Sequence, residues 1–435
     1  MSAYFAIIGS GPSGMYAADA LLKNFPNCKV DVFDKIPMPF GLIRYGVAPD
    51  HFKTKNTARQ FMRTLELDQV RYLGNVEIGR DLSVEELKKN YDAVVYAIGA
   101  YNDRELGIPG ENLPGVYGAC AFVGWYNAHP DYHELSPMLD GGNAVVIGIG
   151  NVALDVCRIL AKTRTEMRGS DIAASALNVI QNMTIEEVHM FGRRGPIEAG
   201  FTPKELGEVR DLERCAAIVK AEQIPNKVEG DFEGREKGIK EKNLTILREL
   251  AAQRKPEKSV KMHFQFYASP VKILGRDRVE GIRMEHTEVI DGRAVATGQF
   301  FDIPCCSVIT AIGYHANPPE GLPLNRATID NTFGRVRDNM YVVGWAKRGS
   351  SGTIPTNGPD SRSVIDLLIE DLNKDGSTLD KPGGRTIDKL LSDRNIRVVS
   401  IDDVKRISAA EIANAVDDHP WEKFTSINDM LAALN

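Results

Sequence analysis

At 435 residues the chain is too long for one hydrophobic core and implies two or three domains. A hydrophobic share of 43% with 26% charged residues is that of an ordinary globular protein and excludes a disordered or fibrous one. A net charge of −6 carries no basic excess for nucleic acid, and no apolar run reaches the roughly 18 residues that a membrane-spanning helix needs.

The chain opens on an apolar run, residues 4–8, that reads as a buried strand. It feeds into Gly9-Ser10-Gly11-Pro12-Ser13-Gly14, then a helix over 15–22 and a second strand over 29–33 that ends on Asp34. This is a strand–turn–helix–strand unit of the dinucleotide-binding kind. Gly9 permits the tight turn, Gly11 lets backbone approach a pyrophosphate, and Gly14 lets helix pack on strand. Pro12 and Ser13 complete the turn ahead of the helix, whose free N–H groups suit phosphate, and Asp34 stands where a carboxylate accepts from a ribose. The bland alternative, a tight turn in a Gly-rich chain, leaves the strand, helix and acid in register unexplained. Because the first strand begins at Tyr4, no leader peptide is expected; of a cytoplasmic protein and a processed form, the numbering from Met1 favours the first.

Pro37, Pro39, Gly41, Gly46 and Pro49 make residues 35–56 a long loop, of the sort that is usually functional. A helix over 57–67, a strand over 76–78 and an S-x-x-E capped helix over 83–90 follow. Residues 91–99 form an apolar strand ending in Ala-Ile-Gly, and 307–313 repeat that plan. Between them lies a second nucleotide unit. It has a strand over 144–147, the turn Gly148-Ile149-Gly150-Asn151-Val152-Ala153 and a helix over 154–162. The repeat predicts an α/β protein of two doubly wound, Rossmann-like domains facing each other, one inserted into the other. Residues 1–104 and 314–435 then form the first domain and 105–313 the second.

Within the insert, residues 163–183 read as helical, and a strand over 187–191 leads to Gly192-Arg193-Arg194-Gly195-Pro196. A carboxylate at that strand end would select NAD; two guanidinium groups favour the 2′-phosphate of NADP. A surface Arg pair is the alternative, which the flanking glycines and the preceding unit disfavour. Residues 226–261 are a solvated, charge-mixed helical stretch, and 261–281 and 289–303 alternate like antiparallel strands. A strand over 339–344 precedes a Gly/Ser/Pro-rich loop, 344–358, and a helix over 360–372. The helix N-terminus and the small residues around Gly352, Thr353 and Ile354 suit the pyrimidine end of a flavin, and Trp345 suits its ring. Beyond 373 only 408–416 and 426–434 look helical. The six cysteines lie in no C-x-x-C or C-x₄-C pattern, against a redox disulfide, a zinc site or an iron–sulfur cluster; adjacent Cys305 and Cys306 read as small residues before a strand.

Two dinucleotide sites call for two dinucleotides, FAD at the Asp34 unit and NADP(H) at the Arg pair. Together these motifs resemble adrenodoxin reductase and its bacterial ferredoxin–NADP reductase relatives. So do Gly41-Leu42-Ile43-Arg44-Tyr45-Gly46-Val47-Ala48-Pro49-Asp50-His51, Trp125-Tyr126-Asn127-Ala128-His129-Pro130, Gly150-Asn151-Val152-Ala153-Leu154-Asp155, Lys204-Glu205-Leu206, Gly344-Trp345 and Ile354-Pro355-Thr356-Asn357. The resemblance runs to about residue 360. It implies a glutathione-reductase-like domain pair, bound FAD, NADPH as hydride donor and an acidic ferredoxin-type iron–sulfur protein as one-electron acceptor. It further implies that His51 and Asp155 lie near flavin and nicotinamide, that Gly41 and Leu42 line the flavin, and that Arg193, Arg194 and Glu205 hold the ribose phosphate. The chain departs from the pattern at Ile149, where relatives often carry a polar residue. An NADPH-oxidising subunit like the small subunit of glutamate synthase, an NADPH diaphorase or quinone reductase, and a flavin-binding sensor are the rival readings. The first lacks its cysteine clusters here, and a sensor has no need of the Arg pair. For an acidic acceptor the candidate basic surface is Lys204, Arg210 and Arg214, with Arg44 and Lys53.

Overall fold

In the computed structural model, which describes residues 3–253, 257–374, 379 and 381–435, the apolar runs pair as parallel strands. Tyr4–Ile8 lies between Lys29–Asp34 and Ala93–Tyr96, in register Ile8 with Phe33 and with Tyr96. Val70–Gly74 adds beyond Lys29–Asp34, and Met340–Val342 beyond Ala93–Tyr96; the edge strand Arg335–Arg337 is antiparallel. Ala93–Tyr96 is buried throughout, as expected of a parallel strand covered on both faces. Phe5, Ile7, Val30 and Val32 face one core; Ala6, Ile8, Phe33 and Val94 face the other. This sheet belongs to a unit made of Met1–Asn102, Asn127–His133 and Gly313–Asn435.

The second unit, Asp103–Tyr126 and Glu134–Ile312, repeats the plan. Its strand order is Val116–Gly118, Ser307–Thr310, Gly142–Ile147, Ile185–Phe191, Val260–Gln265, Cys215–Val219, and every pairing is parallel. Gly142–Ile147 corresponds to Tyr4–Ile8, flanked by the strand that follows its helix and by the late apolar strand. A separate antiparallel sheet joins Ala268–Leu274, Gly281–Ile290 and Arg293–Pro304. The architecture is thus two doubly wound Rossmann-like units, the second inserted into the first.

The structure corrects several expected elements. The strand expected at 76–78 is Val70–Gly74 instead; Val76 and Glu77 belong to no strand, and the Ile78–Leu82 bridge closes a turn over 79–81. Arg71 hid that strand, because its guanidinium reaches Asp31 and Asp388 rather than water alone. Residues 163–183 are not one helix: Thr163 and Glu166 cap each other in a turn, and the helix proper is Ala174–Gln181. Val260–Gln265 alternates in burial yet is parallel, and Cys215–Val219 and the helix Gly384–Asp393 were not anticipated. The loop 35–56 contains two helical turns, Leu42–Tyr45 and Phe52–Lys55. Residues 127–133, expected inside the insert, belong to the first unit, where Lys55 Nζ donates to Asn127 Oδ1 at 3.1 Å. The charge-rich stretch carries the helix Gly234–Ala252; residues 254–256 of it lie outside the described residues. All six cysteines are free thiols.

Candidate functional site

The two glycine turns have matching geometry. Gly9 has φ +107° and Gly148 +141°, and a Cβ on either would stand 2.5 Å from Ala97 O or 2.3 Å from Ala311 O. Only glycine fits there. Gly14 is as constrained, since a Cβ would lie 2.0 Å from Gly9 O. Gly11 and Gly150 differ: each is the N-cap of the following helix, and a Cβ on either meets nothing within 4 Å. Neither helix has a side-chain cap, so the first-turn N–H groups of Pro12–Asn24 and Asn151–Ala161 are left for another acceptor. The open space beside Gly11 and Gly150 and these uncapped helix starts fit a diphosphate at each turn.

Around the first turn, Phe40 N–H donates to Ser10 Oγ at 3.1 Å, and a Cβ on Gly41 would stand 3.4 Å from Gly11 Cα. The Gly41–Leu42 corner is therefore pressed against the turn. From the other end of the chain, Gly344 (φ +70°) has no room for a side chain beside Ser13 Oγ, and its N–H donates to Asp360 at 2.7 Å. Ser361 Oγ donates to Ser13 O, and Ser13 Oγ and Arg348 Nη2 both donate to Asn357 Oδ1. Sequence reasoning did not single out Arg348. Its Nη1 is buried with no hydrogen-bond partner among the described residues, a donor left for an anionic ligand. Trp345 is half-buried, tied by Nε1 to Ser351 O at 2.9 Å, with its ring 6.0 Å from Tyr314. Thr353 and Ile354 start a short 3₁₀ turn ahead of the helix Asn357–Lys374; Gly352, at φ +82°, has no room for a Cβ beside Thr356.

Asp34 ends its strand as expected, but its oxygens accept from Ser10 N–H, Ser10 Oγ and Ile36 N–H. It braces the turn, and burial holds its pKa above the usual carboxylate value against those bonds. A carboxylate has about four lone-pair sites, so capacity for a ribose remains.

At the second turn, Ile149 packs over Gly192, where a Cβ would lie 2.6 Å from Ile149 Cδ1. That contact explains the apolar residue between the glycines, and it sets Arg193 and Arg194 beside the turn. Arg193 is exposed; Arg194 is half-buried, with Nη1 3.4 Å from Gly292 O. Asn151 Oδ1 accepts from Thr202 N–H at 2.8 Å and Gly200 N–H donates to Ile149 O, drawing the helix Pro203–Glu208 to the same turn. Glu205 Oε2 is buried there without a hydrogen-bond partner among the described residues. Val152 lies in the first turn of Asn151–Ala161.

His51 and Asp155 sit one in each unit. His51 is the N-cap of Phe52–Lys55, and Asp155 accepts from the fully buried Arg158 at 2.8 Å. Three of the five expected docking cations are otherwise engaged. Arg44 is buried against Glu411, Arg210 pairs with Glu249, and Arg214 donates to Leu160 O and Ala161 O. Lys53 and Lys204 remain exposed, Lys204 with its Nζ 3.8 Å from Glu208 in a surface pair.

His129, from the 127–133 segment, stands 5.0 Å from the Tyr45 ring with Nδ1 accepting from Asp131 N–H. Its Nε2 is buried with no hydrogen-bond partner among the described residues, and burial lowers its pKa from 6.5 to about 4, against Asp131, which raises it. The unfolded chain binds this proton more readily, so the contribution of neutral His129 is full above pH 6.5 and falls away as pH drops toward 4. Each unit of separation is worth about 1.4 kcal/mol. His129→Gln should flatten the acid limb of a Tm-against-pH curve in that window; an unchanged limb would exclude this group as its origin.

Comparison with known proteins agrees with this geometry. Residues 4–203 match the family described as pyridine nucleotide-disulphide oxidoreductase. The NADPH-ferredoxin reductase FprA of Mycobacterium leprae is 42% identical over 91% of this chain and 90% of its own length. The human mitochondrial NADPH:adrenodoxin oxidoreductase is 40% identical over 98% of this chain and 91% of its own. The solved structure of Mycobacterium tuberculosis FprA in complex with NADPH superposes with a TM-score of 0.94 at 37% identity, covering both chains completely. Two turns of one geometry on two doubly wound units, with relatives alike over almost their whole length, place this chain in the adrenodoxin-reductase-like family of NADPH–ferredoxin reductases.

Proposed function

We infer that this protein is an FAD-dependent ferredoxin–NADP reductase, with FAD at the Gly9–Gly11–Gly14 turn and NADP(H) at the Gly148–Gly150 turn. The observation that carries the reading is the pair of open, uncapped helix starts at Gly11 and Gly150. A flavin held at the Gly9–Gly14 turn would supply the exchange between hydride from NADPH and single electrons for an acidic ferredoxin-type iron–sulfur protein.

The residues have separable tasks. Gly9, Gly11, Pro12, Ser13 and Gly14 receive the flavin diphosphate, with Asp34 on the ribose side. Gly41, Leu42, Gly344, Trp345, Gly352, Thr353 and Ile354 enclose the rest, and Arg348 supplies a cationic donor. Gly148, Gly150, Asn151 and Val152 receive the NADP diphosphate, and Arg193 and Arg194 hold the 2′-phosphate, oriented with Glu205. His51 and Asp155 are assigned by family likeness to the reacting rings. Domain limits of 1–104 with 314–435 for FAD and 105–313 for NADP remain our working division, less the 127–133 segment. No helix among the described residues is long and apolar enough to cross a membrane. Six free thiols fit a reducing compartment, and we assign the protein to the cytoplasm.

The purified protein should carry FAD and reduce cytochrome c from NADPH only when a ferredoxin is added, while reducing ferricyanide directly. Protein without flavin, or flavin that NADPH does not bleach, would overturn the assignment. Arg193→Ala/Arg194→Ala removes two charge-assisted contacts worth about 1.5–3 kcal/mol each. NADPH KM should rise at least ~100-fold with NADH use little changed. A double variant that keeps its NADPH preference would show that the 2′-phosphate lies elsewhere.

A further inference from the structure

Glu187 and His189 stand on Ile185–Phe191, next to Lys261 and His263 on the parallel strand Val260–Gln265. Alternate residues of a strand share a face, so the four side chains stand together. The two imidazoles stack with centroids 4.5 Å apart and planes 14° from parallel. Glu187 Oε2 lies 3.3 Å from His189 Nε2 and 3.3 Å from His263 Nε2. All three atoms fall within 4.8 Å of one another.

These contacts differ from ordinary hydrogen bonding. His189 is 8% exposed, and its Nε2 is buried with no hydrogen-bond partner among the described residues although the carboxylate is near. An N–H donor to a carboxylate normally closes to about 2.7–2.9 Å. Ligands held about 2.0–2.2 Å from a tetrahedral zinc ion stand roughly 3.3–3.5 Å apart, the spacing of Glu187 Oε2 from each imidazole Nε2; the near-parallel rings must turn out of their stack for both lone pairs to reach one ion. The surroundings also fit a ligand set. Glu187 Oε1 is engaged by Lys261 Nζ at 3.3 Å, which leaves Oε2 to the imidazoles. His189 Nδ1 is 2.8 Å from the Gln265 side-chain amide. With that amide turned to accept from Nδ1–H, the Nε2 lone pair faces the cluster.

We propose that Glu187, His189 and His263 form a three-ligand site for a borderline divalent transition-metal ion such as zinc, with water in the fourth position. Two imidazoles among three ligands disfavour calcium and magnesium, which prefer all-oxygen sets. The ion would clip two neighbouring strands of the second unit. The proposal does not depend on the reductase reading, since its ligands belong to neither glycine turn.

The test uses tag-free, flavin-loaded protein stripped with a chelator and titrated with Zn²⁺ by calorimetry and with Co²⁺ by absorbance. One Zn²⁺ per chain should bind at micromolar Kd or tighter, and Co²⁺ should give tetrahedral d–d bands at wavelengths beyond the flavin's absorption. His189→Ala and His263→Gln should each weaken binding at least ~100-fold with flavin content unchanged. His263 is the more exposed of the two histidines, so its variant covers the case in which His189→Ala misfolds. Absence of stoichiometric binding would overturn the proposal. So would Zn²⁺ binding of unchanged stoichiometry and affinity in the folded His263→Gln protein.

Discussion

Gly11→Val should fold and purify colourless, and Gly150→Val should purify yellow but stay unreduced by NADPH. Both expectations follow from the direction in which each glycine's missing side chain would point. At Gly9 and Gly14 a Cβ meets backbone within 2.5 Å, so substitution there damages the fold and says nothing about a ligand. At Gly11 and Gly150 a Cβ meets nothing within 4 Å, and neither residue has a positive φ. The protein itself therefore tolerates a side chain at both positions. A diphosphate seated on the helix start does not, because the close approach of backbone N–H groups is what holds it. Far-ultraviolet circular dichroism should match wild type in both variants. Flavin absorbance should fall to a trace in Gly11→Val, and the rate of flavin bleaching by NADPH should fall at least ~100-fold in Gly150→Val. A fully yellow, active Gly11→Val protein would refute the flavin assignment, and a Gly150→Val protein reduced at the wild-type rate would refute the NADP assignment.

The glycine turns were legible because they are local. Strand, turn, helix and strand follow within about thirty residues, and each residue type has a steric or electrostatic reason to be where it is. The same holds for Ser83 and Glu86, which form the expected reciprocal cap. What stayed hidden depends on partners distant in sequence. Asp34 reads as a ribose acceptor, and nothing local announces that Ser10 also takes up part of its carboxylate. Arg71 disguised a strand because Asp388, its partner, lies more than three hundred residues away. Val260–Gln265 alternates like an antiparallel strand because one of its faces carries Lys261, His263 and Gln265. Its parallel neighbours decide otherwise. Arg44 looked like surface charge for the same reason: Glu411, which buries it, lies more than three hundred residues further on, in the helix Ile401–Ala413.

That ion pair leads to the second large effect, a loss of stability in Glu411→Ala. Arg44 Nη2 lies 2.7 Å from Glu411 Oε2, and the two side chains are 13% and 2% exposed. Burial alone would lower the Arg44 pKa; the carboxylate outweighs it and holds the guanidinium charged. Glu411 also accepts from Phe424 N–H, while Lys55 and Lys423 Nζ both approach Arg44 O. Removing one partner of a buried pair strands the other charge, which costs about 3–5 kcal/mol. For a unit of this size that is a fall in Tm on the order of 10 °C. The effect should extend to the cofactor: Arg44 lies in Leu42–Tyr45, the turn that begins where Gly41 abuts Gly11. Glu411→Ala should therefore lose flavin on gel filtration sooner than wild type. Arg44→Met/Glu411→Leu removes both charges and should recover most of the lost Tm, since an apolar pair of similar volume leaves no orphaned ion. A single variant as stable as wild type, or a double variant no better than the single, would show that the helix Ile401–Ala413 does not brace the flavin loop through this pair.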